Sequence, residues 1–410
     1  MTFATVHKDN RLSEKLIFLL SVLLLASFVV LSAETYGRYL MLVLTAVIML
    51  LSAFQNHGRL RIRIDAYQYF VAAFALFCII SSIWAIDPAK SIEKGITVIK
   101  LLVCFWVLYN HYAKYDSVSP LLLILMWAGI VVSFYTIYDL GLSSILKTTL
   151  SGYRLESEYA NINEISGAAA SSAVIAFFYL LKRRREWLIY AGSILLNLLI
   201  VAASGSRKSL VIVLMGCFLI AMARKPSEDI VKTILRGVGV ILLSILILRL
   251  MFLLPIFDMA RERMDGMLAM LTGQGKADAS ALDRRRMMQI GLRQFLETPV
   301  LGIGIGNSGT ITKIYFHGRD TYLHNNFVEL LATGGIVGFF IYYARHVYLA
   351  HQFWKLRQNW TDDMKLCVVL FLIMTAMDMG QVSYYTKFIY YEFMMFFLCV
   401  KQKIFQNRNK

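Results

Sequence analysis

Charge is scarce in this sequence. Only 17% of its 410 residues are charged and 58% are apolar, whereas soluble domains run at about 25% charged and roughly 45–50% apolar. The shortage excludes an ordinary water-soluble protein, and apolar runs recurring from end to end leave no room for a sizeable soluble domain. Cysteine is sparse too. Cys78, Cys104, Cys217, Cys367 and Cys399 all fall inside apolar runs, odd in number and at no metal-like spacing, so they read as small packing residues. A His/Cys/Asp cluster at zinc spacing, a G-x-S-x-G elbow and a Walker loop are all missing. So is any internal repeat, and few ionisable residues interrupt the runs, chiefly Lys100, Arg249 and Glu329. A transporter or flippase is therefore the weaker reading.

What is there are about twelve apolar runs, near residues 16–33, 39–54, 67–86, 96–110, 120–138, 167–181, 187–204, 209–223, 234–254, 326–343, 366–380 and 386–400. Each is close to the length that crosses hydrocarbon as a helix. The expected fold is an all-α integral membrane protein, 1–410 forming one polytopic membrane domain. The first run follows Lys8, Arg11 and Lys15 but shows no convincing small-residue cleavage site, so it reads as a membrane helix and not a signal peptide. Basic connections such as GRLRIR (58–63) and KRRRE (182–186) fall on one face when both termini are cytoplasmic, the orientation that the positive-inside rule favours. Much of the net charge of +16 is then topology, with attraction to anionic headgroups beside it. No basic block joins a recognisable nucleic-acid module, so no nucleic-acid partner is expected.

The opposite face carries two loops of interest, a smaller one at 139–166 and a long one at 255–323 with short helices. The long loop is also basic, holding Arg261, Arg263, Lys276, Arg284, Arg285, Arg286, Arg293, Lys313 and Arg319. Two readings stand: a solvated surface, or a site for an anionic ligand. Within it, FDMARERMDGMLAML (257–271) sets Met264, Met267, Leu268 and Leu271 on one helical stripe, which suits a helix lying in the interface or one packed on the bundle.

Four short stretches face that side. GYRLESEYANINEISG (152–167) offers Arg154, Asn161, Asn163 and Glu164, and SGSRKSL (204–210) holds Arg207 and Lys208 in a tight turn. The third, 282–309, carries Arg284, Arg285 and Arg286 and then GIGIGNSG; the fourth is HNNFVELLATGG (324–335). Guanidinium forks match phosphate oxygens bidentately, so converging arginines suggest a phosphate or pyrophosphate. For Arg207 alone, a snorkelling interfacial cation is an equal reading. GIGIGNSG satisfies G-x-G-x-x-G, but outside a βαβ unit that pattern does not mean a dinucleotide; its glycines more plausibly permit tight turns. His324 could take a proton from a sugar hydroxyl, or simply cap a helix together with Asn325 and Asn326. Glu329, five residues on, points well away from His324 on a helical wheel. GGIVG (334–338) supplies small residues for close helix packing.

In this order the four stretches resemble the O-antigen ligase and Wzy polymerase superfamily. The matching elements are Arg154 followed by NIN (161–163), the SGSR turn (204–207), an arginine ahead of P-x-x-G-x-G-x-G-N (299–307), and HN followed by ELL and GG-x-x-G (324–338). The spacing points to Arg284 as the matching arginine, although two more follow it, and Met288 or a neighbour stands where an aromatic is usual. The resemblance covers about 150–345.

It implies a GT-C-like membrane glycosyltransferase in the bacterial cytoplasmic (inner) membrane, with about twelve transmembrane helices and its site facing the periplasm or exterior. The donor would be an undecaprenyl-diphosphate-linked glycan, with membrane lipids around it, and the enzyme would need no metal and no cofactor. Arg154, Arg207 and Arg284 would hold the diphosphate, and His324 would orient or deprotonate the attacking hydroxyl. Asn161, Asn163, Lys208, Arg285, Arg286 and Asn325 would line the substrate. A flippase and a chain-length regulator are the implied partners. Polymerase and ligase differ only in the acceptor, a second lipid-linked repeat unit or lipid A–core, and the composition leans toward polymerase.

Overall fold

A computed structural model describes residues 11–31, 35–59, 62–150, 155, 160–223, 239, 279–316 and 318–408. Among these the regular secondary structure is entirely helical. Every expected span meets a described helix except 234–254, which apart from Gly239 lies outside the described residues, as do 257–271 and Arg154. Five stretches are long and apolar enough to cross a membrane: Leu12–Val30, Ala66–Ile83, Ser119–Leu140, Ile162–Lys182 and Asn326–Lys355. The chain divides into two compact units, each built on its own logic.

The first comprises 1–62, 110–264 and 361–373. Its described helices are α1 (Arg11–Val30), α2 (Thr35–Gln55), α5 (Ser119–Leu140), the short α6 (Leu142–Leu150), α7 (Ile162–Lys182), α8 (Trp187–Ala203) and α9 (Arg207–Ala223). Two helices, α4 (Pro88–Tyr112) and α13 (Asp362–Met377), have residues in both units. Small side chains govern the packing here. A Cβ at Gly129 of α5 would sit 2.4 Å from Ser172 Cβ of α7, and one at Gly216 of α9 would sit 2.5 Å from Val174, so these backbones approach as close-packed membrane helices do. Buried hydroxyls and one amide then lock the contact. Ser133 Oγ donates to Asn197 Oδ1 at 2.8 Å, Asn197 Nδ2 donates to Ser172 Oγ at 3.0 Å, and Ser172 Oγ donates to the Met126 carbonyl at 2.6 Å. With water absent, each such group needs a protein partner.

The second unit comprises 63–109, 265–360 and 374–410. It contains α3 (Ala66–Ile80), α10 (Ala279–Glu297), α11 (Ser308–Tyr315), α12 (Asn326–Lys355) and α14 (Lys387–Arg408). Aromatic rings fill it, and it buries ionisable groups that the sequence reading did not expect inside the bundle. Arg345 is 2% exposed, its guanidinium 4.0 Å from the Tyr342 ring centre and 3.9 Å from that of Phe393, a cation–π box that replaces water around the charge. Asp378 accepts from Tyr343 Oη at 2.9 Å, with His346 Nε2 3.8 Å from the same carboxylate oxygen, and Glu392 is buried as well.

The break in α12 revises the reading of GGIVG. Gly335 (φ +62, ψ −166) interrupts the helix, so 334–338 does more than allow packing. The chain from Pro299 onward fills the gap. Ile336 N–H donates to the Pro299 carbonyl at 2.9 Å, Val337 N–H to Val300 at 3.2 Å, and Ile303 N–H to Ala332 at 3.2 Å. These bonds satisfy groups that an interrupted helix leaves open. Gly302 (φ +64) makes the approach possible, since a Cβ there would fall 2.4 Å from the Thr333 carbonyl carbon. Asn307, fully buried, fastens the rest of the glycine-rich turn: its Oδ1 accepts from Asp87 N–H at 2.8 Å and its Nδ2 donates to Ser91 Oγ at 3.2 Å.

Candidate active site

In the second unit the site is built around one turn. His324 adopts φ +56, one of two described non-glycine residues in the left-handed region; the other is His57, in the exposed turn after α2. For a residue with a Cβ this backbone costs on the order of 1–2 kcal/mol, and the flanking residues hold it. Leu323 is buried, and its N–H donates to Glu329 Oε2 at 2.9 Å. The other oxygen of Glu329 accepts from Ser308 Oγ at 2.6 Å. On the far side Asn325 caps α12, its Oδ1 accepting from Val328 N–H at 3.1 Å. Asn326 is buried: its N–H donates to the Asp378 carbonyl at 2.8 Å, and its Oδ1 accepts from Ser383 N–H at 2.9 Å. Both amides of HNN are thus structural anchors, and His324 stands between them, half-exposed, its ring centre 4.3 Å from that of Tyr322.

Helix α10 docks on this turn. Met287 packs with Leu323, Val328 and Ala332. The surfaces meet closely at Gly291, where a Cβ would come within 2.5 Å of Leu323 Cδ1 and 2.6 Å of Val328 Cγ1. Asn325 Nδ2 also points to Met288 Sδ at 3.7 Å. Residues three and four apart share a helix face, so Arg284 lies on the same stripe as Met287 and Met288. Arg285 and Arg286 are exposed, while Arg284 is half-buried. Of the three arginines, Arg284 belongs to the face that packs against the residues flanking His324.

The first unit brings together a second set of expected residues. Asn161 caps α7, its Oδ1 accepting from Asn163 N–H at 2.9 Å. Gly205 (φ +57) turns the chain from α8 into α9, with Ser204 Oγ accepting from Ser206 N–H at 3.1 Å. Ser166 of α7 and Ser209 of α9 join their hydroxyls at 2.7 Å. The starts of α7 and α9 therefore lie side by side, with Asn161 and Asn163 on one and half-buried Arg207 and Lys208 on the other. Both helix starts carry partial positive charge, which adds to those cations in favouring an anion.

Glu329 is the supporting residue of this turn that a helical wheel misses. It does not meet the His324 ring through helix geometry; it holds the backbone next to it, in a turn to which the wheel does not apply. The one signal for it in the sequence is that a carboxylate inside a membrane span needs a reason.

A polytopic helical protein with cation-bearing helix starts and a strained, anchored histidine is the class these observations define. Residues 163–343 match a family model described as O-antigen ligase, which supports kinship of this part of the chain with the O-antigen ligase/Wzy superfamily. The matched region holds Asn163, Arg207, Lys208, Arg284, Arg285, Arg286, His324 and Asn325; Arg154 and Asn161 precede it. Members are glycosyltransferase-like enzymes that act on lipid-linked glycans, and with its apolar helices the chain is an integral membrane protein. A comparison with curated proteins gave no match.

Proposed function

We propose that this protein is a glycosyltransferase that polymerises undecaprenyl-diphosphate-linked repeat units into O-antigen or capsular polysaccharide. The reaction takes place on the outer face of the cytoplasmic membrane, in a bundle of about twelve GT-C-like helices with both termini cytoplasmic. The observation that carries this reading is the His324 turn. A strained, half-exposed histidine is anchored on both sides and backed by the Arg284 face of α10, inside the region matched to the family. Strain of this kind persists where the surroundings over-determine it, and it marks functional positions.

The chemistry follows from the side chains. A hydroxyl of the acceptor sugar attacks the anomeric carbon while undecaprenyl diphosphate departs. His324 orients that hydroxyl or accepts its proton. Arg154, Arg207 and Arg284 bind the diphosphate and stabilise the negative charge that grows on it, with Asn161, Asn163, Lys208 and Asn325 as further polar contacts. Guanidiniums take the role a divalent cation often has at a diphosphate, so neither metal nor cofactor is required. A flippase supplies the donor, and a chain-length regulator acts on the product.

Incubating the purified protein with lipid-linked repeat units, without metal, tests this directly. A ladder of products on a gel is the expected result. Product only when lipid A–core is added would make the protein a ligase, and no transfer to either acceptor would overturn the proposal.

A further inference from the structure

The face of α10 turned away from His324 borders a cavity of about 740 Å³, within the range of roughly 300–1,000 Å³ typical of ligand sites. Arg286 and Arg293 line it from α10, two turns apart on one stripe. Arg319 lines it from the segment after α11. Among the described residues no carboxylate lies within ion-pair distance of these three guanidiniums: Asp320, next in the chain, is engaged by Lys90 at 2.9 Å and Lys313 at 3.0 Å. One acid, Asp283, stands at the edge, so the cavity keeps an excess of positive charge. Tyr315 is 50% exposed beside it. Phe316 forms part of the wall and also packs on the Met287–Leu323 cluster that supports the His324 turn.

We infer that this groove is a binding site for an acidic saccharide, a stretch of glycan bearing carboxylate or phosphate groups away from the reacting bond. Three convergent guanidiniums recognise such groups through charge-assisted, bidentate hydrogen bonds, and aromatic rings offer apolar faces to the C–H surfaces of sugars. A lipid headgroup fits less well. Its acyl chain requires an apolar path, and among the described residues Ile290 is the sole aliphatic side chain in the lining. The site deepens the glycosyltransferase reading, on which the presence of a glycan rests. It assigns Arg286 to glycan recognition on the opposite side of α10 from Arg284.

The test uses the full chain in discs of neutral lipid, with trigalacturonate as the acidic probe and maltotriose as the neutral one. The wild-type protein is expected to bind trigalacturonate at least about tenfold more tightly. Each arginine removed should cost about tenfold, the scale of one charge-assisted hydrogen bond. R293A/R319A should therefore abolish the preference, while R185A/R357A, with the same change in net charge, should retain it. Equal affinity for the two probes, or an unchanged preference in R293A/R319A, would overturn the site. Loss of saccharide binding in anionic-lipid discs would give the groove to headgroups and overturn it equally. If trigalacturonate binds as expected but no lipid-linked glycan is ever transferred, the groove stands and the enzymatic reading falls. If transfer occurs without the preference, the groove alone falls.

Discussion

The turns at 204–207 and 322–326 each lead into a helix through a left-handed residue, and they meet the same steric demand in opposite ways. In the turn at 204–207 that residue is Gly205 (φ +57), and Arg207 follows as the first residue of α9. Glycine has no Cβ to clash, and serine hydroxyls contribute to holding the turn. In the turn at 322–326 the left-handed residue is His324 itself (φ +56), and it is restrained by a buried carboxylate, a buried leucine and two asparagines. Glycine would fit the second turn with less strain. That an imidazole stands there, with so many groups spent on holding it, argues that the ring is what the turn exists to present. In the other turn the backbone bends so that the next side chains can be placed.

The largest effects should come from removing the presented groups. H324A and R207A are each expected to abolish glycan extension, a loss of about 10²–10⁴-fold for a proton-transfer or charge-stabilising group, while the protein still inserts in the membrane. Product ladders and membrane fractionation check both halves, and full activity in both variants would sink the assignment.

Next in size is the clamp. E329A leaves Leu323 N–H and Ser308 Oγ without their acceptor, and a buried group left unpaired costs about 1–3 kcal/mol. E329Q keeps one acceptor oxygen and should lose less. Both should lower the transfer rate by releasing His324, E329A more than E329Q. A pair of variants with wild-type rates would show that Glu329 serves the fold alone.

Much of the architecture was legible because it is written in period and composition. Apolar runs gave the helices, and asparagine ahead of such a run gave the cap at Asn325, since a short polar side chain there satisfies an open N–H. What stayed hidden depends on contacts across the sequence. Gly335 reads as a packing residue until Pro299 and Val300 are seen filling the break it makes. Arg286 and Arg293 share a stripe visible in the sequence, but Arg319 joins them only through the fold. Arg345 escaped notice because its helix continues past the expected span to Lys355, and because its partners are aromatic rings with no charge to betray them.

The comparison of the two turns can be sharpened by exchanging their logic. G205A puts a Cβ on a left-handed residue and should destabilise by about 1–2 kcal/mol. H324G removes the same strain, but the freer unfolded chain offsets part of the gain, about 0.5–1 kcal/mol. Thermal unfolding in detergent should therefore show a lower Tm for G205A and an unchanged or higher Tm for an inactive H324G. A clear fall in Tm for H324G would mean that the ring holds the turn together, contrary to the view that the turn holds the ring.

The smallest effect concerns the support behind α11 and bears on whether it acts through charge. Asp320 accepts from Lys90 and Lys313, and those two hydrogen bonds hold its carboxyl below the ordinary carboxylate range. Space is reserved for it at Gly309, where a Cβ would fall 1.7 Å from its Oδ1. Because the folded protein binds this proton less readily than the unfolded chain, the carboxylate's contribution is complete above the unfolded value of about 3.9. It fades as pH falls below that value toward the depressed one. Asp320 is nearly half exposed, so water and salt screen the pair and the contribution is small. D320N should have a slightly lower Tm than wild type at pH 7, and the gap should close as the pH is lowered toward 3. Added salt at pH 7 should narrow it as well. A gap that persists unchanged through acid and salt would mean that Asp320 supports α11 by filling space beside Gly309, with its charge incidental.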